Sequence, residues 1–227
     1  KLSGESLSTQ KGVPYEECAV NLVADALIRV HQKHHELAIV IGAGNLFRGS
    51  KSRLPYSKDL LDEVGMLATV MNGKILSAAL EKKGIKTALF NAFSCGGFAE
   101  TYSTKKAKEA LKNGCIVIFT GGTSHPYLTT DTAAALRASQ ISADVLVKLS
   151  TVDGIYTKDP KKVKNASKKE RITYDEVIEK QLGVMDLEAI CLCKKNTIPI
   201  LVTSFSDPEH LEKALSCGKI GTLVTAE

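Results

Sequence analysis

The chain has 227 residues, 44% of them hydrophobic, enough for one sizeable core; a domain of this length buries roughly 70% of the surface its unfolded chain exposes. The formal charge of +5 is concentrated between Lys158 and Arg171, so the remainder is near neutral and no nucleic-acid footprint is read. Trp is absent and aromatics are 5%, which argues against a stacking platform for single-stranded nucleic acid, and no apolar run approaches the ~20 residues of a membrane span.

The six cysteines, Cys18, Cys95, Cys115, Cys191, Cys193 and Cys217, match no zinc signature. Most sit inside apolar runs and are expected as buried, reduced thiols of a cytoplasmic protein. Lys1-Leu-Ser-Gly4 reads as a strand end followed by a turn, with the earlier part of the strand outside this numbering. Lys1 would face the crevice at the carboxyl edge of a sheet, although position alone favours a solvated lysine. Ser8 to Pro14 is polar, and Gly12 and Pro14 mark it as a surface loop. From Glu16 to His34, Ala19, Leu22, Val23, Ala26, Leu27 and Val30 recur at helical spacing. His31, His34 and His35 close that helix and complement its dipole. His31 and His35 also have i,i+4 metal spacing, but no carboxylate is placed beside them, and the capping reading is preferred.

Leu37 to Ile41 is a buried strand running into Gly42-Ala-Gly-Asn-Leu-Phe-Arg-Gly49. This glycine loop is neither the dinucleotide fingerprint nor a Walker loop. Its N–H groups suit phosphate, and Arg48 adds a planar fork for a bidentate contact. Asp59 to Lys83 reads as a long helix with a core stripe of Leu60, Val64, Leu67, Met71, Ile75 and Ala78. Its other face, Asp62, Gly65, Thr69 and Gly73, is small or polar, and would admit a ligand near Asp62 or a second copy of the helix. Asp62 also lies near the helix N-terminus, where a carboxylate is favoured without any ligand.

Lys86 to Phe90 is a strand, and Ser94 to Phe98 is a loop with paired glycines. Thr104 to Asn113 is an amphipathic helix, capped by Ser103 or Thr104 and stopped by Gly114. Cys115 to Phe119 is an unbroken apolar run, expected as a fully buried parallel strand. Gly121-Gly-Thr-Ser-His-Pro-Tyr-Leu-Thr-Thr-Asp131 follows it and leads into a helix to Ile141, capped by Thr130 or Asp131. Open α/β sheets bind ligands in such loops, at the carboxyl end of a strand and the N-terminus of a helix. An ordinary polar connection has the same composition, so the loop alone does not establish a site.

Asp144 to Leu149 is a further strand, and Asp153-Gly154 marks a tight turn. Tyr156 and Asp159 flank its exit, where a ring would suit an adenine and a carboxylate a ribose. Lys161 to Arg171 lacks apolar periodicity and reads as a mobile surface loop in preference to a dedicated anion site, and such mobility would suit a lid beside a triphosphate. Thr173 to Glu176 is a capping box for a helix to Leu182, and Asp186 caps the next, ending at Asn196. Pro199 to Thr203 and Thr222 to Thr225 are strands around a last helix from Asp207-Pro208 to Gly218. The alternation implies a largely parallel sheet with helices on both faces.

Five segments recur in one order: Lys1-Leu-Ser-Gly-Glu5, Ile41-Gly-Ala-Gly-Asn-Leu-Phe-Arg-Gly49, Gly65-Met-Leu-Ala-Thr-Val-Met-Asn-Gly73, Thr129-Thr-Asp131 and Val152-Asp-Gly-Ile-Tyr-Thr-Lys-Asp-Pro160. Together, nearly end to end, they resemble the bacterial uridylate kinases of the amino-acid kinase family. The first and last motifs are family-wide. The Asn-Leu-Phe-Arg-Gly and Gly-Met-Leu-Ala-Thr-Val-Met-Asn motifs are specific to the uridylate kinase branch and unlike glutamate, acetylglutamate and aspartate kinases.

The resemblance implies an α/β fold, a three-layer αβα sandwich around a largely parallel sheet. It implies one domain over 1–227, with an acceptor-binding part over about 1–140 and an ATP-binding part over about 141–227. It implies ATP with Mg²⁺ as donor, UMP as acceptor, a homohexamer, and inhibition by UTP. Carried over by position, Lys1, Leu2, Ser3, Gly4, Gly44 and Arg48 hold the ATP phosphates, and Ser150, Tyr156 and Asp159 the adenosine. Ala43, Asp62 and the run Thr123, Ser124, His125, Pro126, Tyr127, Leu128, Thr129 and Thr130 hold UMP. Lys1, Arg48 and Asp131 act in catalysis, Asp131 by orienting Lys1 or the metal; no protein metal ligand is assigned, since Mg²⁺ comes with ATP. Two departures stand out. Ala43 replaces the middle of three glycines, which is tolerable only at negative φ. The Ser8 to Pro14 loop does not match the effector site some members form there, which argues against activation by GTP.

Overall fold

The computed structural model describes residues 1–10, 12–33, 35–157, 166–205, 208–217 and 220–227, with the backbone alone for Pro208 and Cys217. His34, Asp159, Asp207 and Gly218, each given a role above, lie outside the described residues. The chain divides into two units, Lys1–Ala133 and Ala134–Glu227.

The first unit carries a parallel sheet of order β1-β4-β2-β3, formed by β1 Ala38–Val40, β2 Thr87–Asn91, β3 Glu100–Thr101 and β4 Ile116–Thr120. Ile39 and Leu89 both face Ile118 across the ladder. Leu2 extends the sheet by a parallel bridge to Ile41. Its N–H donates to Val40 O and its carbonyl accepts from Gly42 N, both at 2.9 Å. All five residues of β4 are buried, as an unbroken apolar strand covered on both faces requires. Helices α1 Glu17–Gln32, α2 Lys58–Lys82 and α3 Thr104–Lys112 belong to this unit, α2 and α3 packing on β2 and β4. Ser103 stands at the N-cap of α3 without a side-chain capping bond. α1 buries Ala19, Val23, Ala26, Leu27 and Val30 as its spacing dictates, while Leu22 is left exposed.

α2 reverses the expected packing. Leu60, Val64, Leu67, Met71, Ile75 and Ala78 are exposed, Met71 to 55%. The helix instead buries Leu61, Ala68, Thr69, Val70, Asn72, Gly73, Leu76, Ser77 and Leu80. The reason is the closeness of helix to sheet. A Cβ on Gly73 would come to 2.4 Å from Thr120 Cγ2 and 2.9 Å from Leu89 Cδ1, so only the small-residue face fits there.

In the second unit β5 Leu146–Ser150, β8 Arg171–Thr173, β9 Ile200–Ser204 and β10 Thr222–Thr225 pair in the order β5-β9-β10-β8. β5 is parallel to β9 and β10 to β8, while β10 runs antiparallel to β9. A two-stranded antiparallel ribbon joins β6 Ile155–Tyr156 to β7 Lys168–Lys169. The second half of the expected loop before Arg171 is therefore strand, because backbone pairing with Ile155 and Tyr156 overrides its polar composition. Helices α5 Tyr174–Glu179, α6 Leu187–Lys195 and α7 Pro208–Cys217 complete the unit. Thr173 Oγ1 accepts from Glu176 N at 3.1 Å, and Asp186 Oδ1 from Ala189 N at 2.9 Å, so both caps are made. The Glu176 carboxylate turns to Lys169 and Lys180 and leaves the capping box half closed.

The five cysteines whose side chains are described are free, but only Cys193 of them is buried. Cys18 and Cys191 are exposed on α1 and α6, since a short apolar run on a helix carries an outward face as well as an inward one.

Candidate active site

Three segments of the first unit meet at the carboxyl ends of its parallel strands: Lys1 to Gly4, the loop after β1, and the loop after β4. Lys1 Nζ lies 2.9 Å from Asp131 Oδ1, with the two side chains 8% and 15% exposed. Lys1 is thus not the solvated terminal residue that position alone favours. Burying an ammonium group is costly unless a carboxylate faces it, and Asp131 is that carboxylate. It is placed by α4, Thr130–Ile141. Thr129 caps this helix, its Oγ1 accepting from Asp131 N at 2.9 Å and its carbonyl from Ala133 N at 3.1 Å. Thr130 and Asp131, expected as caps, fall in the first turn because the helix begins earlier than Thr132.

Leu2 is buried, and Ser3 Oγ accepts from Glu5 N at 3.3 Å, opening a 3-10 turn over Gly4–Leu7. Gly4 is required by crowding. A methyl group there would lie 2.3 Å from Asn45 Oδ1 and 2.6 Å from both Asn72 Nδ2 and Gly42 O. Asn72, fully buried on α2, donates to Gly42 O at 2.7 Å and to Asn45 Oδ1 at 2.8 Å. Asn45 Nδ2 in turn donates to Pro14 O at 2.7 Å. One buried amide therefore ties the helix to the glycine loop and, through Asn45, to the segment before α1. Ala43 is buried and is not among the five non-glycine residues of positive φ, so its methyl group is accommodated. A methyl group on Gly44 would press on the Arg48 guanidinium, at 3.0 Å from Nε. Arg48 itself pairs with Glu5, both half exposed. The arginine is thus already engaged by a carboxylate.

The loop after β4 turns at Gly121, where φ is +76° and a Cβ would lie 2.4 Å from Asn91 Oδ1. Gly121 N donates to Thr69 Oγ1 of α2 at 2.7 Å. Thr123 is buried, its Oγ1 accepting from His125 N at 3.2 Å. His125 Nδ1 is 2.9 Å from Thr123 O, a contact that needs the Nδ1–H tautomer. Ser124 and Tyr127 adopt positive φ, 65° and 70°. Non-glycine residues do so at a cost and persist there only where surrounding contacts hold them. Pro126 and Thr130 are half-buried, and Tyr127, Leu128 and Thr129 exposed. Tyr127 N donates to Asp62 Oδ2 at 2.8 Å, and Lys58 Nζ lies 2.6 Å from the same oxygen. Asp62 is thereby a partner of the loop and not only a charge at a helix end.

Of the residues carried over for adenosine, Ser150 Oγ accepts from Val152 N at 3.5 Å. Tyr156 OH donates to Asp153 Oδ1 at 2.8 Å, and Lys168 Nζ is 3.0 Å from Asp153 Oδ2. Burial works against the Asp153 carboxylate, but the bonds from Tyr156 and Lys168 outweigh it and hold its carboxyl below the usual range. The bond to Asp153 raises the Tyr156 phenol. Gly154 is explained by space and not by φ: a Cβ would lie 2.7 Å from Thr222 Oγ1, which accepts from Ile155 N at 2.7 Å.

The reading from residues missed Glu5, Lys58 and Asn72 and gave Thr69 only as part of a small or polar helix face, without its partner Gly121. Thr69 and Asn72 sit in the quoted Gly65 to Gly73 motif, and a polar residue inside a helix between small ones is the signal that could have found them. Lys58 stands four residues before Asp62, a spacing that could have named their ion pair, while nothing local gives Glu5 its partner Arg48. Among the described residues no cluster of three His, Cys, Asp or Glu side chains is placed to hold a metal. No helix among them is long and apolar enough to cross a membrane.

The sequence model of the amino acid kinase family matches residues 1–204. The uridylate kinase of Bacteroides thetaiotaomicron is 44% identical over 225 residues, covering 99% of this chain and 95% of that protein. The crystal structure of UMP kinase from Bacillus anthracis superposes with a TM-score of 0.96 at 30% identity, covering 100% of this chain and 94% of that one. That of UMP kinase from Ureaplasma parvum gives 0.93 at 32% identity, covering 99% and 96%. The expected αβα fold class holds on these likenesses.

Proposed function

The chain belongs to the amino acid kinase family, and we propose that it transfers the γ-phosphoryl group of ATP to UMP, giving UDP and ADP, within pyrimidine nucleotide synthesis. The observation that carries this reading is the Lys1–Asp131 pair, set at the carboxyl ends of a parallel sheet between two glycine loops, in a chain matched end to end by uridylate kinases.

Phosphoryl transfer asks for positioning and charge neutralisation more than for covalent chemistry. Both substrates are polyanions and repel until cations and N–H dipoles intervene. Lys1, held by Asp131, supplies one cation; Leu2, whose own N–H is bound to Val40 O, fixes the turn from which Ser3 and Gly4, with Gly44, offer backbone N–H groups to the ATP phosphates. Arg48 supplies the second cation by exchanging Glu5 for phosphate. Ala43, Asp62 and the run Thr123 to Thr130 take UMP, with the N-terminus of α4 adding its dipole. No general base is needed, because the attacking oxygen of UMP is already ionised near neutral pH. Ser150, Tyr156 and Asp159 are proposed for adenosine. Mg²⁺ favours phosphate oxygens with only one or two protein carboxylates, which fits a chain with Asp131 beside Lys1 and no carboxylate cage among the described residues. Bound with ATP, it would neutralise the β- and γ-phosphates.

The exposed apolar face of α2, Leu60 to Ile75, supports assembly into a homo-oligomer, proposed as a hexamer. A cytoplasmic location and feedback inhibition by UTP complete the proposal, and activation by GTP is not part of it. ADP release with Mg·ATP and a panel of UMP, CMP, dUMP and glutamate tests the reaction. Selective turnover of UMP is expected, and a folded protein that turns over another acceptor in its place overturns the assignment.

A further inference from the structure

We propose that Lys58 is a positioning residue of the acceptor site, bracing the Gly121 to Thr129 loop through Asp62 and the ring of Tyr127. The inference rests on the acceptor reading above. Lys58 Nζ lies 2.6 Å from Asp62 Oδ2 and 4.8 Å from the centroid of the Tyr127 ring. The same Oδ2 accepts the Tyr127 N–H at 2.8 Å. The other carboxylate oxygen faces the end of the first glycine loop, where a methyl group on Gly49 would come to 3.3 Å from Asp62 Oδ1. One lysine on α2 thus touches both the carboxylate and the aromatic ring of a residue that the carboxylate holds by its backbone.

An exposed i,i+4 ion pair on a helix contributes little by itself. Lys58 differs because its second partner belongs to another element. Tyr127 sits at a φ of 70° with its side chain well out in solvent, so its conformation needs an outside contact. The Asp62 bond fixes its backbone, and the cation over the ring fixes its side chain. Charge gives the second reason. A carboxylate that addresses the acceptor's hydroxyl groups also repels the acceptor's phosphate dianion, and Lys58 offsets that charge at 2.6 Å. Lys58 therefore acts on acceptor binding and not on the transferring phosphoryl group.

Steady-state kinetics on Lys58→Met, Lys58→Gln, Lys58→Arg and Tyr127→Leu test this. The two neutral Lys58 variants are expected to raise the KM for UMP about five- to tenfold, with kcat and the KM for Mg·ATP within about twofold. Lys58→Arg keeps the cation and stays near wild type, whereas Tyr127→Leu, which removes the ring, raises the KM for UMP. Lys58→Met combined with Tyr127→Leu costs less than the sum of the two. An unchanged KM for UMP in both neutral variants, or an equal rise in the KM for Mg·ATP, overturns the inference while the wild type still turns over UMP. A folded wild type silent on UMP overturns the acceptor reading and this inference with it.

Discussion

Replacing Lys1 by Ala removes a buried cation and leaves Asp131 without its partner at 2.9 Å. Two effects follow, and they separate. Turnover falls by roughly two to three powers of ten, about 3–4 kcal/mol, as for loss of one donor to a developing charge. Stability falls too, because a carboxylate only 15% exposed loses its counter-charge. The double variant Lys1→Ala, Asp131→Asn is expected to recover melting temperature but not turnover. A loss of turnover under about threefold, with the fold intact, removes Lys1 from the chemistry. At this scale residue reading reached Arg48 and Asp62 by type but not by partner. Glu5 on Arg48 joins positions far apart, so only a contact in space could name it, whereas Lys58 on Asp62 has i,i+4 helical spacing and only its reach to Tyr127 needed the fold.

The two faces of α2 make opposite predictions. Gly73→Ala places a methyl group against Thr120 and Leu89, inside van der Waals contact. Overpacking of this kind costs about 1–3 kcal/mol, and the expected fall in melting temperature is about 3–10 °C. Met71→Glu acts on the other face, more than half exposed in the single chain. There it leaves the fold intact and lowers the particle mass measured by light scattering, because a charge in an apolar interface loses its hydration. An unchanged mass removes this face from the oligomer interface. The helix itself was legible from its period. Which face packs was not, since large apolar and small residues both recur at helical spacing, and the closeness of the sheet selects between them.

For the molecule as a whole, alkaline pH probes the second unit. Burial pushes the Tyr174 phenol up to about 12, with the nearby Cys193 adding to it, and burial pushes the Cys193 thiol up to about 12. Tyr174 OH donates to Ile198 O inside the core. Both groups are neutral in the fold and ionise more readily when it opens. Their contribution is therefore full below the ordinary thiol and phenol values of about 9 and 10 and is lost as pH rises towards about 12. The unfolding free energy from denaturant titration should fall between pH 8 and pH 11 by a few kcal/mol at most, and less steeply in Tyr174→Phe and Cys193→Ala. Parallel slopes in wild type and both variants would remove these two groups as the cause.

Near-neighbour features were determined by the sequence itself. The Thr173 and Asp186 caps, the buried β4 run and the turn at Gly121 each depend on residues a few positions apart, so type and spacing suffice. The family motifs added the order of the site segments along the chain. Tertiary structure made the pairing of Lys1 with Asp131, which the family motifs had left open between Lys1 and a metal, and it alone decided the hold of Asn72 on Gly42 and Asn45 and the rotation of α2. Each of these joins segments far apart in sequence, and the free energy that selects them, burial of charge against charge and close packing of helix on sheet, exists only once the chain has folded.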